Sequence, residues 1–419
     1  MGSPIDPTLV ISIVSRIDRP PPDSCRLGQG LGGAWLSFLC AMLCTTATAA
    51  PRIPPTDDTV LEHVPAAAAT RVLEPLRARL ATDPDDQQTA LVLAQGYLDI
   101  GRANGDPRFV SYAEATLDPW LARPRPTPAV LVLAANALQY LHRFNDALVL
   151  LDRALAAQPE NGQARLTKAA ILEVQGRFEE SRKACRPLAQ SAGQLIALTC
   201  LTSVNSLTGQ LSASYAALRA VFLDDPRLPP GVRIWIREQL ADMAQRSGDE
   251  RAAEEHLLAA LRVSAEDPYV KTDYADLLLR EKRYAEVVRL LRGDEQQDNL
   301  LLRLAIAGTR LHNVEGKRWS DQFQARYEAA RRDGDYTHLR EQARFLLEVR
   351  GRPAEALALA KRNWQVQKEP ADVRIYAEAA AASDAREEAQ EVLQWMQTTH
   401  YEDRTLGPVR LALPSAERQ

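Results

Sequence analysis

Apolar residues along Pro128–Pro159 (PAVLVLAANALQYLHRFNDALVLLDRALAAQP) recur at helical spacing in two short blocks. Ala129 to Leu141 and Phe144 to Ala157 read as amphipathic helices folded back on each other, with a tight break at His142 and Arg143 and a stop at Pro159. Small residues stand where the two helices would touch: Ala134, Ala135, Ala147 and Ala154. Leu131, Leu138, Phe144 and Leu151 fill the space around them. The break recurs at Gly176, Gly209, Gly248, Lys282, Gly316, Gly351 and Asp384, at successive spacings of 34, 33, 39, 34, 34, 35 and 33 residues. A hairpin of this kind cannot bury its apolar face alone, so a regular series of them predicts stacked units with one continuous core.

The template resembles the tetratricopeptide (TPR) family, whose small first-helix residue falls on Ala135, turn on His142, paired alanines on Ala147 and Ala154, and closing proline on Pro159. The resemblance implies an all-α fold, a right-handed α-solenoid of helix-turn-helix hairpins, with about nine hairpins and a leading helix over residues 66–397. Toward the N-terminus, Ala94, Tyr97 and Gly101 take the family's small, aromatic and turn positions. The helical pattern resumes only near Phe109, so Gly101–Arg108 is expected to form an enlarged loop. Pro75 should kink the leading segment or start a new helix. The long spacing before Gly248 follows from the proline-rich connector Asp224–Gly231, while the unit turning at Gly316 rests on spacing alone, with its second helix running on through Arg331. Beyond Met396 the pattern stops, and residues 398–419 read as a cap or tail.

Residues 1–50 differ in kind. The uncharged run Leu31–Leu43 is too short for a bilayer span but fits the hydrophobic region of a secretory signal, followed by an Ala47-Thr48-Ala49 cleavage pattern and a proline-rich linker at 51–65. Export to a bacterial periplasm is therefore expected, with no integral span in the mature chain. The segment before the apolar run is long for a signal and carries as many acidic as basic residues, which places the true start downstream of Met1 or makes the first residues an extension. Leu43 before Cys44 argues against a lipid anchor, because lipidation signals take a small residue there.

Composition adds little beyond this. The net charge of −4 and the lack of a basic stripe argue against a nucleic-acid partner. The six histidines are scattered, and no catalytic, phosphate-loop or metal-ligand spacing stands in the chain, so neither enzyme activity, metal nor cofactor is expected. The cysteines left after export, Cys185 and Cys200, lie on consecutive antiparallel helices at similar distances from the joint at Gly193. They read as a disulfide in an oxidising compartment, or else as two small buried residues of the helix interface.

In TPR arrays the first helix of each hairpin lines the inner groove. Carried onto this chain, the resemblance implies a partner-binding groove at Gln95, Asp99, Asn136, Gln139, Tyr140, Trp235, Glu238, Asp242, Arg246, Tyr269, Asp276, Arg280, Arg303 and Arg310, with Gln163 and Glu173 between. The best-defined stretch runs from Trp235 to Arg310. The function that follows is a noncatalytic interaction scaffold of the cell envelope that binds a peptide or partner protein in its concave groove. An assembly factor or chaperone for an exported or membrane enzyme complex is the alternative, and an enzyme using the Gly101–Arg108 loop a more distant one. The sequence leaves the oligomeric state open.

Overall fold

The structure is a computed structural model that describes residues 70–106, 108–332 and 338–406. The proposed export signal, the linker and residues 407–419 lie outside the described residues. Helix α1 (Glu74–Thr82) begins with Pro75 in its first turn, where a missing N–H costs nothing. Nine hairpins follow among the described residues. They are α2 (Gln87–Asn104) with α3 (Arg108–Leu121), α4 (Pro128–Tyr140) with α5 (Phe144–Ala157), and α6 (Gly162–Val174) with α7 (Phe178–Cys185). After the short α8 (Leu188–Ser191) come α9 (Gln194–Ser206) with α10 (Leu211–Val221), α11 (Pro230–Ser247) with α12 (Glu250–Val263), and α13 (Pro268–Arg280) with α14 (Tyr284–Leu291). The last are α15 (Asp298–Arg310) with α16 (Val314–Arg332), α17 (Leu339–Glu348) with α18 (Pro353–Trp364), and α19 (Pro370–Ala382) with α20 (Arg386–Thr399).

One device closes the first helix of each repeating hairpin. His142, Gly176, Gly209, Gly248, Lys282, Gly351 and Asp384 all have positive φ, the left-handed conformation that ends a helix. At six of these turns, the residue after the left-handed one donates its N–H to the carbonyl five residues earlier, as in Arg143 N to Leu138 O at 2.8 Å and Arg283 N to Leu278 O at 2.8 Å. The expected small contacts are shut from solvent: Ala135, Ala147 and Ala154 have no exposed surface.

Two expected turns are wrong for a shared reason. The break assigned to Gly316 lies at His312, whose φ is 53°, and Gly316 sits inside α16. There it meets Gly308 of α15 so closely that a Cβ on either would come within 2.3 Å of the other's backbone. Likewise α2 continues through Gly101 to Asn104 and is capped by left-handed Gly105. Gly101 is buried against the Phe109 Cβ of α3, and the enlarged loop is one more helical turn. In both units glycine permits helix contact and a neighbouring residue makes the turn.

The array curls until its second turn rests on its first. Lys368 N donates to Val174 O at 2.8 Å and Gln297 Nε2 to Ala103 O at 3.3 Å, while Leu211 N donates to Glu402 Oε1 at 3.2 Å. The last two contacts join residues 194 and 191 apart, so roughly six hairpins make one superhelical turn. Trp364, Trp395 and Tyr401 pack in series with ring centroids 5.1 and 5.5 Å apart, and Trp395 reaches Phe178 of α7. One apolar core thus runs from Leu166 to Met243 and again from Ala343 to Leu406.

Cys185 and Cys200 form a disulfide, with Cα atoms 5.7 Å apart across α7 and α9 and a sequence separation of 15. Both side chains are buried. A loop of this length is expected to stabilise the chain by about 3 kcal/mol in the chain-entropy account. The paired Cys185→Ser and Cys200→Ser variant should therefore lose about that much in denaturant unfolding. Equal midpoints for the variant and the oxidised chain would show that the bridge contributes nothing.

Candidate functional site

Because successive superhelical turns touch, the concave side is a partly enclosed, charged interior. Its first stretch is covered. Asn136, Gln139 and Tyr140 on α4 are buried, with Tyr140 donating to Gly101 O at 3.2 Å and Asn136 accepting from Thr167 at 3.3 Å. Gln95 donates to Asp99 at 2.8 Å along α2. Gln163 bonds Thr167, and Glu173 accepts from Ser203 at 2.6 Å. Those residues are engaged with the protein's own side chains.

The stretch from Trp235 onward divides in two. Trp235 is 3% exposed and belongs to the apolar core, so the expected aromatic anchor of the groove is a packing residue. Arg246 is fully buried and bonds Asp242 at 2.8 Å, Ser206 Oγ at 2.6 Å and Ser206 O at 2.9 Å, which ties α11 to α9. Glu238, Asp242, Tyr269, Asp276, Arg280 and Arg303 do line one hollow of about 200 Å³. A second hollow of about 230 Å³ shares Asp276, Arg280 and Arg303 and extends to Arg310.

Asp276 of α13 is the central counter-ion. It accepts from Arg303 of α15 at 2.6 and 3.0 Å and from Arg344 of α17 at 2.6 Å. Burial alone would raise its pKa, but the two guanidinium groups hold the carboxyl well below the usual carboxylate range. A second knot centres on Arg340 of α17, which meets Glu341, Glu369 and Asp372 at 3.0 to 3.4 Å. Burial opposes ionisation of Glu341, and Arg340 outweighs it, so that carboxyl falls to about 2. Arg374 of α19 pairs with Asp403 at 3.1 Å. Glu378 goes the other way, pushed up to about 7 by burial and by neighbouring Glu348.

Three groups on these walls keep a buried atom without a hydrogen-bond partner: Glu238, Arg280 and Arg374, the last at Nη2. Glu238 is 3% exposed and neither carboxylate oxygen has a hydrogen-bond partner. Burial, then the charges of Asp273 and Asp267, hold its carboxyl well above the ordinary range. Arg280 has a buried guanidinium nitrogen with no partner, and burial together with Arg374 pulls its pKa down to about 10.

Reading the groove from sequence stopped at Arg310 and so missed Arg340, Glu341, Arg344, Arg374 and Glu378, which also line the interior. The signal was present, since these residues lie on the first helices of the last two hairpins. Among the described residues, no group of three or more His, Cys, Asp or Glu is placed to hold a metal, and no helix is long and apolar enough to cross a membrane.

The tetratricopeptide repeat family model matches residues 138–197, from the end of α4 into the start of α9. No curated protein matches the chain. Among solved structures, the human IFIT1 dimer with m7Gppp-AAAA is 13% identical, covering 80% of this chain and 77% of its own, with a TM-score of 0.46. Yeast Tom70 is 12% identical over 82% of this chain and 84% of its own, with a TM-score of 0.36. The APC/C hetero-tetramer Cut9–Hcn1 is 12% identical over 74% of this chain, with a TM-score of 0.40, and this chain spans about half (52%) of the chain it matches there. Such likeness says nothing of ligand or partner.

Proposed function

We propose that this chain, a solenoid carrying tetratricopeptide repeats, is a noncatalytic protein-interaction scaffold of the cell envelope that holds a peptide segment or partner protein in its charged interior. The observation that supports this most is the shared hollow between α11, α13, α15, α17 and α19, where first helices from five hairpins bring Tyr269, Asp276, Arg280, Arg340 and Arg374 together. Rigid elements present polar side chains there, and a partner entering it would meet aromatic and guanidinium groups, the usual anchors of protein recognition. The Cys185–Cys200 disulfide supports an oxidising compartment, in keeping with the apolar run and cleavage pattern near the N-terminus.

The test is retention of a partner from envelope extract by the full chain. The double variant Tyr269→Ala with Arg310→Ala removes a half-buried contact from the first hollow and an exposed one from the second. It should cut retention at least about tenfold while thermal unfolding stays unchanged. Equal retention by the variant would take the interior out of the function. A partner that remains in stoichiometric complex marks a scaffold, and one that leaves after delivery marks an assembly factor.

A further inference from the structure

The second hollow holds more cations than its carboxylates answer. Seven Arg and Lys side chains line it, and four of them stand in ion pairs. Arg303 and Arg344 share Asp276, and Arg374 has Asp403. Arg340 has Glu341 and two further carboxylates, Glu369 on the first hollow and the buried Asp372. Arg280, Lys282 and Arg310 are left, with no hydrogen bond or ion pair among the described residues. A cation in the last turn of a helix is favoured by the helix dipole, which accounts for basic residues at the ends of α13 and α15. It does not account for both facing one hollow, together with Lys282 of the next turn, without a carboxylate to pair with.

Lys282 and Arg310 are exposed, and Arg280, Arg344, Arg374 and Glu378 are half-buried, so small solutes reach these walls. Arg280 Nη2 and Arg374 Nη2 are shut from solvent and take no part in contact. Their charge still acts across the wall, because a partly enclosed site screens less than open water. Glu378 is the acid of this hollow without an ion pair among the described residues. Burial and then Glu348 push its carboxyl up to about 7, against the pull of Arg344, Arg374 and Arg280. Near neutral pH it is therefore about half protonated, and in that form its O–H donates. An incoming anion gives that O–H an acceptor and the three unpaired cations a counter-charge.

We propose that the second hollow binds a tetrahedral oxyanion, a phosphate or sulfate group, with Arg280, Lys282 and Arg310 supplying the counter-charge and the protonated Glu378 carboxyl donating a hydrogen bond. An ionised Glu378 would repel the same anion, so binding and proton uptake go together. This inference goes beyond the scaffold reading and does not rest on it, because a small anion occupies the hollow with or without a partner protein.

The experiment is calorimetric titration of the full chain with sodium sulfate up to about millimolar concentration, at constant ionic strength in chloride. Sulfate keeps its charge near neutral pH, so any pH dependence belongs to the protein. It should bind, and binding should weaken about tenfold from about pH 6 to about pH 8 as Glu378 gives up its proton. Glu378→Gln keeps a donor that does not titrate, so its sulfate affinity should be level across that range. Lys282→Gln with Arg310→Gln should weaken binding at least about tenfold, and because both residues are exposed the melting curve should not move. Acetate, planar and singly charged, should bind at least about tenfold more weakly than sulfate. Inorganic phosphate and glycerol phosphate separate the sources: equal affinities mark a group carried on a larger molecule, and binding of the inorganic ion alone marks a free anion. No sulfate binding by a chain that melts normally, unchanged affinity in the Lys282 and Arg310 variant, acetate binding as tight as sulfate, or a pH dependence that survives Glu378→Gln each overturns the proposal. An envelope partner still retained in that case leaves the scaffold reading standing.

Discussion

Asp276→Asn should lower the stability of this protein by about 3 kcal/mol, through the charge it leaves unbalanced rather than any volume it removes. The carboxylate accepts from Arg303 and Arg344 at 2.6 Å each, and Arg303 is only 5% exposed. Removing one partner of a buried ion pair typically costs about 3–5 kcal/mol, because the remaining charge has been taken from water and has no compensation. The lower end applies here. Arg344 keeps Glu348 at 2.5 Å, Arg303 keeps the Asn299 carbonyl, and Asp276 retains some contact with solvent. The same change at an exposed pair, Glu255→Gln opposite Arg251, should leave the melting temperature unmoved. The acid limb adds a second check. Asp276 is held below the usual carboxylate range, so its stabilisation is complete above the unfolded pKa and is lost as pH falls through the lower folded value. The gap between wild type and Asp276→Asn in denaturant unfolding should stay constant from about pH 5 to 8 and shrink below about pH 4. A gap that widened in acid would mean that the carboxylate is not the counter-ion of Arg303 and Arg344.

What the sequence makes readable here is whatever repeats locally. His142, Lys282 and Asp384 mark turns although none is glycine, because a break at constant period outweighs the modest cost of a left-handed L-residue. The disulfide could be counted out from Gly193, since two antiparallel helices fix which positions oppose. Glycine misleads because it has two uses: Gly101 and Gly316 look like turn residues and are close-packing residues in helices. The closed superhelix is harder to see. Its turn-to-turn contacts join residues nearly two hundred apart and use main-chain groups, as at Val174 and Lys368, which carry no side-chain pattern. That closure decides the site. It brings α19 to face α13 across the shared hollow, while Tyr140 is buried against the preceding hairpin, so a groove inferred from single hairpins has the right helices and several wrong side chains. Trp235 shows the limit most clearly, for a large aromatic at a groove position reads as an anchor until the neighbouring hairpins are placed around it.

Gly308→Ala should destabilise the chain by about 3 kcal/mol even though alanine is the better helix former. In isolation the substitution favours α15 by about 1 kcal/mol, because glycine in a helix interior gives up more backbone freedom. Against this stands a Cβ placed 2.3 Å from the Gly316 Cα and 3.0 Å from both the Gly316 nitrogen and the Trp319 ring. Two of those three atoms are backbone, so relief requires α15 and α16 to separate. Trp319 is fully buried, and Leu304 and Ala305 beside it have no exposed surface, so separation opens a core that is packed to completion. Overpacking of this kind costs about 1–3 kcal/mol where side chains can yield and more where backbone must move. The contrast is Gly96→Ala in α2, whose added Cβ would come 2.6 Å from Leu73 Cδ2, a flexible side-chain end that can rotate away. That variant should stay within about 1 kcal/mol of wild type. The loss at Gly308 should also be local, since stability in stacked repeats is shared mainly between neighbours. Hydrogen exchange should quicken across α15, α16 and the adjoining α13 and α17 while α4 and α5 keep their protection. Unchanged exchange in α15 and α16, or equal effects at Gly96 and Gly308, would mean that the two glycines do not form the contact that lets these helices close.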